Sequence, residues 1–211
     1  MKHWFNPDST LSIFISRTAD LAVLSLLWAV CCLPVITFIP SSVALYYVTM
    51  KFVRNEDVKI IQCFLKSMKE NLKHGILLSF AFLLLFFFLY ADFLYITLFE
   101  KMLKFILLFL FSAISFLAFS TMCYTIAISA RFSNTAFRTV KNAFILSLQN
   151  FSKTVRIVLL NLSPALLLFI PIETLFRILP ILIIFLPSYI TYFCSRIFTK
   201  IFDSLPMKTP V

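Results

Sequence analysis

Glycine is nearly missing from this chain. With Gly75 as its one glycine, it has no P-loop to cradle phosphates through closely approaching backbone, and no G-x-S-x-G turn for a serine nucleophile. Histidine is almost as scarce, with only His3 and His74, and no H-E-x-x-H. The five cysteines (Cys31, Cys32, Cys63, Cys123, Cys194) form no C-x-x-C pair and no metal-ligand spacing, so neither a zinc site nor a disulfide scaffold is expected. Four of them fall in or beside apolar runs, where cysteine behaves as a small hydrophobe. The chain is therefore read as non-enzymatic, with no catalytic, cofactor-binding or metal-binding residues.

Charge is thin as well. Charged residues make up 13% of the chain, against about a quarter in a soluble domain. The net charge of +10 comes without the aromatic and basic interleaving that binds single strands, so nucleic acid is not an expected partner. The anionic inner leaflet is, at roughly 1 kcal/mol for each Lys or Arg near its surface. A cleavable secretory signal is also not expected. About twenty amphipathic residues precede the first apolar core and no small-x-small site follows, so this segment should remain as a span.

What the chain has instead is apolar length. It is 61% hydrophobic, with a mean hydropathy of +0.98, and the excess arrives as runs such as 75–90, 105–117 and 178–185. About 20 such residues cross the hydrocarbon core as a helix. The expected fold class is all-α: one polytopic helical membrane domain over 1–211. About six transmembrane helices are placed at 11–33, 36–53, 75–98, 103–130, 155–172 and 178–197. The first stops at Pro34, whose missing N–H discourages continuation. The second starts after Pro40, with Ser41 and Ser42 as capping candidates. At about fourteen residues it reaches only about 21 Å of the ~30 Å core. A crossing in a thinned bilayer, a longer helix reaching back to Val35 and a re-entrant segment all remain open.

Orientation follows from Lys and Arg, which cytoplasmic loops retain. With six spans and both termini cytoplasmic, the exterior loops hold only Lys101, Lys104 and Arg177 of the 19 basic residues. Were 36–53 re-entrant, Lys2 and Arg17 would move outside too, so six spans fit better.

Two amphipathic helices are expected on the cytoplasmic face. In 55–73, Val58, Ile61, Leu65, Met68 and Leu72 recur at three and four, with Lys59, Lys66, Lys69 and Lys73 elsewhere. Glu56 and Asp57 fall in the first turn, where the helix dipole favours negative charge. In 134–153, Phe137, Val140, Phe144, Leu148 and Phe151 form a similar stripe. Both read as interfacial, apolar side down, and Val58, Ile61, Leu65 and Met68 form a candidate partner-binding face. The helices echo each other at Phe64/Phe144, Ser67/Ser147 and Lys73/Lys153. Duplication and the shared style of interfacial helices account for this equally well.

Candidate functional positions are polar residues inside spans. Asp20 is ionisable in a span, although Arg17, three residues earlier, supplies a local pair. Tyr46, Tyr47 and Tyr124 could face a ligand such as a sugar, and Asn161 interrupts the fifth span ahead of Pro164. Ser112, Ser115 and Ala118 share a face of the fourth span, small enough for close helix contact.

Together, several stretches resemble the YesL family of bacterial integral membrane proteins, a family of undetermined function. They are Asp20-Leu21 with Leu26-Leu27-Trp28, Cys32-Leu33-Pro34-Val35-Ile36-Thr37, Ala44-Leu45-Tyr46-Tyr47-Val48, Arg54-Asn55-Glu56-Asp57 and Arg131-Phe132-Ser133-Asn134-Thr135. Ile39 stands where the family has glycine before the proline, and the asparagine expected near Ser25 is absent. The resemblance implies a multi-pass protein of the bacterial cell membrane, accessory to carbohydrate uptake or sensing through membrane subunits of such a system. It brings no site residues. A sugar transporter acting as a homo-oligomer and a structural membrane organiser are the other expected functions.

Overall fold

A computed structural model describes residues 10–169 and 171–204, and these are helical almost throughout, with no strand. The helices are α1 (Thr10–Cys31), α2 (Phe38–Val53), α3 (Ile60–Ile96), α4 (Lys101–Arg131), α5 (Ala136–Gln149), α6 (Phe151–Leu162) and α7 (Ile172–Asp203). Two 3-10 segments, Val35–Thr37 and Ser163–Phe169, lead into α2 and out of α6.

Helix α2 is the hub, packing against α1, α3, α4 and α7. Twelve of its 16 residues are buried, as befits a helix enclosed by others. Ile39, Val43, Tyr46 and Met50 enter a core shared with α3, α4, α5, α6 and α7. Ala44, Leu45, Val48 and Phe52 enter a second core with Leu21 and Leu24 of α1 and Phe64 of α3. Its start differs from expectation. The helix begins at Phe38, with Pro40 inside its first turn, where a missing N–H costs nothing because those donors are unpaired anyway. Ser41 and Ser42 are not caps: Ser42 accepts a hydrogen bond from Trp28 Nε1 at 3.2 Å, and Ser41 Oγ is buried without a partner. The Thr37 hydroxyl instead reaches back to the carbonyls of Cys31 and Pro34 at 2.6 and 2.7 Å, tying the turn to the end of α1.

The expected helix over 55–73 is not a separate element. Asn55 has φ 56°, the left-handed conformation that ends helices and that asparagine tolerates best after glycine. Residues 55–59 therefore form a turn, and Glu56 pairs with Lys51 and Arg54 at 3.8 and 3.7 Å instead of opening the next helix. From Ile60 the chain runs without interruption through the expected third span, because the lone Gly75 at the junction lowers helix propensity by only about 1 kcal/mol. The result is one helix of 37 residues, about 55 Å long.

The second amphipathic helix does form as its own element, α5. It ends at Asn150, and α6 leaves at an angle of 107°. Its buried face is Thr139, Ala143, Leu146 and Ser147, so of the expected stripe Phe137, Phe144, Leu148 and Phe151 point outward, while Val140 packs against the core. The echo between the two regions is thus partial. Ser67 and Ser147 are both buried, but Phe64 is enclosed while Phe144 is not, and one helix is continuous where the other bends.

The fifth expected span, 155–172, is also recast. Helix α6 has 12 residues, about 18 Å. At Ser163-Pro164 it tightens into the 3-10 segment, since a proline ring clashes with the preceding helical turn. Helix α7 starts directly after Pro171, placing Arg177 in a helix and not in a loop, and it carries Pro180 and Pro187 internally. In α4 the expected face of Ser112, Ser115 and Ala118 divides: Ser112 is exposed and bonds back to Phe109 O at 2.8 Å, whereas Ser115 and Ala118 are half-buried, with Ser115 Oγ enclosed, and full burial begins at Ser120. Among the described residues, four stretches are long and apolar enough to cross a membrane: Val35–Val53, Ile60–Ile96, Lys101–Arg131 and Arg177–Asp203. The bent α5–α6 pair makes a fifth if taken as one broken span, against the six expected.

The α2–α3 contact rests on Gly75. A Cβ there would lie 2.5 Å from Pro40 Cγ and 2.8 Å from Pro40 Cδ, atoms of a ring that cannot swing aside. Gly75→Ala is expected to lower stability by about 1–3 kcal/mol, read as a fall in the thermal unfolding midpoint of the purified protein in detergent. Adding Pro40→Ala should recover part of that loss.

Candidate functional site

Inside the bundle, α1, α2, α4, α6 and α7 leave a cavity of about 430 Å³. Its walls are mostly apolar, among them Phe119, Met122, Leu182 and Ile183, with a polar edge made by Trp28, Ser42, Tyr46, Cys123, Asn161 and Thr191. Each polar residue comes from the part of its helix that faces inward. Asn161 sits one turn before the Pro164 break, where its Nδ2 donates to Ile157 O at 2.9 Å and to Cys194 Sγ at 3.4 Å. The Tyr46 hydroxyl faces Asn161 and Cys194, and its ring stands edge-on to Phe198 at 5.8 Å. Among the described residues, no His, Asp, Glu, Lys or Arg lines this space. The described lining therefore offers a ligand shape, one amide and three hydroxyls.

The expected site residues separate into four places. Tyr46 and Asn161, 115 positions apart in sequence, meet at the cavity. Tyr124 is fully buried nearby, edge-on to Phe198 at 4.9 Å, with its hydroxyl 2.9 Å from Thr154 Oγ1. Thr154 spends its own proton on Ser147 O at 2.7 Å, so Tyr124 is the donor of the pair. This bond locks α4 to α6. Tyr47 looks the other way, toward a polar cavity beside the α4–α5 loop, with Lys51 Nζ 4.9 Å from its ring centroid. Asp20 lies on α1, partly exposed, away from both. The Arg17–Asp20 ion pair does not form: it is absent from the ion pairs among the described residues, and Arg17 stacks over Phe52 at 5.4 Å instead.

The candidate partner face also divides. Ile61 and Leu65 are 53% and 50% exposed, whereas Val58 and Met68 pack against the core beneath α1 and α2. Sequence reasoning missed Ser42, Cys123 and Thr191 as cavity residues. Their only signal was small polar character within apolar spans, a character common among the 16 buried polar residues in the described part of the bundle.

Residues 21–93, from the middle of α1 to near the end of α3, match the model of a family described as "Protein of unknown function, DUF624". No curated protein matches the chain, and no solved structure does.

Because Thr154 keeps two carbonyl acceptors when its tyrosine partner is removed, Tyr124→Phe should destabilise the bundle by about 0.5–1.5 kcal/mol. Tyr47→Phe, which leaves the Lys51 ring contact in place, should shift the unfolding midpoint by less. Thermal unfolding of both variants in the same detergent checks the order.

Proposed function

We propose that this protein is a multi-pass, non-enzymatic protein of the bacterial cell membrane, accessory to a carbohydrate uptake or sensing system, and that it works by contacting that system's membrane subunits. One observation carries the contact. Helix α3 exceeds the ~30 Å hydrocarbon core by about 25 Å, and its apolar run begins only after His74. The excess is therefore its amino-terminal portion, where Ile61 and Leu65 stand exposed among Lys59, Lys66, Lys69 and Lys73. Two large apolar side chains outside the lipid and not covered by the described residues suit a partner protein. The basic surround suits the cytoplasmic side, with both termini there and the bilayer as the remaining partner. The carbohydrate setting rests on the resemblance to the YesL family.

A second reading has one observation in its favour, the cavity bounded by Tyr46 and Asn161. In that reading a homo-oligomer moves a small solute, such as a sugar, through it. A purely structural membrane organiser has no feature of its own here.

Ile61→Ser with Leu65→Ser should abolish co-purification of uptake or sensor subunits after mild cross-linking in native membranes, while membrane insertion and the unfolding midpoint stay unchanged. Unaltered recovery of those subunits removes the accessory reading. For the second reading, liposomes containing the protein should take up a sugar, and Asn161→Leu should slow uptake at least several-fold. No uptake across a sugar panel would exclude it.

A further inference from the structure

A groove between α3, α4 and α5 carries one charge that neither reading uses. It has a volume of about 490 Å³ and is lined by Leu85 of α3, Ile114 and Ala118 of α4, and Phe137, Lys141 and Phe144 of α5, among others. Helix α5 reaches this place by packing back along α4 after the loop at Arg131, so that Phe151, just beyond its end, meets the ring of Phe116 at 6.0 Å. That packing occupies Thr139, Ala143, Leu146 and Ser147. Positions 137, 141 and 144, spaced by four and three, share the flank that borders the groove.

The walls decide what can sit there. Apart from Lys141, the polar side chain in the described lining is Thr121, and its hydroxyl is engaged by Leu117 O at 2.7 Å. Leu85, Ile114, Phe137 and Phe144 are all exposed. The α3 and α4 walls belong to stretches long and apolar enough to cross a membrane, so hydrocarbon chains are the medium that covers such a surface. Lys141 is exposed and enters no ion pair among the described residues, and neither does Arg138, one turn before it. No acid is present in the described lining. An ammonium beside hydrocarbon without a counter-charge is costly. Its four-carbon stem lies along an apolar wall while the charge reaches a polar head. Apolar walls that end at an unpaired cation select an amphiphile with a negative head.

We propose that this groove holds an acyl chain of an anionic phospholipid, with the lipid's phosphate against Lys141. Charge complementarity names the occupant: a zwitterionic lipid fills the same walls but brings its own cation toward Lys141. A sugar or soluble phosphate ester has no hydrocarbon to set against Phe137 and Phe144. Phenylalanine and basic residues together on one amphipathic helix suit a helix seated at a lipid surface, and basic sites between helices on the cytoplasmic side hold anionic headgroups. The inference depends neither on the partner contact at Ile61 and Leu65 nor on the cavity at Tyr46 and Asn161.

The test is native mass spectrometry of the full chain, purified in a neutral maltoside and titrated with phosphatidylglycerol or phosphatidylcholine of matched acyl chains. Phosphatidylglycerol should be retained several-fold more strongly. Lys141→Gln should weaken it about fivefold, the loss of one charge near the lipid surface, and leave phosphatidylcholine unchanged. Ala118→Phe fills the groove and should weaken both lipids. Phe137→Ser should do the same at an exposed position, which keeps the test of the walls intact if Ala118→Phe fails to fold. Lys69→Gln, exposed and outside the groove, should change neither lipid. Equal retention of the two lipids overturns the proposal, as does an effect of Lys141→Gln no larger than that of Lys69→Gln. Unchanged retention of both lipids by Phe137→Ser overturns it too.

Discussion

Enclosure of α2 is the constraint on which the rest of the bundle depends. A helix of 16 residues reaches about 24 Å, less than the hydrocarbon thickness, and a short helix exposed to lipid would have to thin the bilayer around it. Surrounding it with α1, α3, α4 and α7 removes that demand, because its ends then meet protein. Both of its faces have to be closely fitted. That explains why two separate cores share this one helix and why the neighbours approach it at Gly75 and at small hydroxyl residues. Between helices in a membrane the attraction is dispersion and hydrogen bonding, since lipid tails are as apolar as leucine.

The hydroxyl contacts form a pattern around that hub. Thr49 meets Ser195 at 2.8 Å between α2 and α7, and Ser25 meets Ser188 at 2.7 Å between α1 and α7. The Ser188 amide also donates to Ser25 Oγ at 3.2 Å, next to Pro187, where a helix loses one of its own backbone bonds. Bonds of this kind average about 0.6 kcal/mol in membrane bundles. Their value is therefore mainly in register: they fix which turn of α7 faces α1 and α2. The proline-bearing helix is held at the places where it is least able to hold itself.

Much of the architecture was legible in the sequence because apolar length is a one-dimensional signal. The runs that became α3, α4 and α7 were plain, and α5 was plain from its period. Boundaries failed where a residue has two meanings. Pro40 reads as a stop but is harmless in a first helical turn, and Gly75 reads as a joint but did not interrupt the helix. Asn55 looked like part of a helix and ended one, through a backbone conformation that no hydropathy pattern records. Of the candidate site, Tyr46 and Asn161 were marked individually, but their meeting depends on α6 ending at Leu162, ahead of Pro164, and on α7 bringing Cys194 beside Asn161. The Arg131 loop was noticed as a string of letters. Its character as a cavity wall needed α3 to run unbroken past it.

The unbroken course of α3 has a mechanical consequence. Its exposed amino-terminal part and its apolar stretch are one rod without a hinge, and Gly75 seats that rod on Pro40 partway along its length. A tilt applied at Leu65 would then be carried past that fulcrum, toward Phe82 in the core and the far tip where Phe93 meets Phe111 of α4. The helix is a lever spanning both sides of the bundle, while the bend at Asn150 uncouples α5 from α6 in the other half of the molecule.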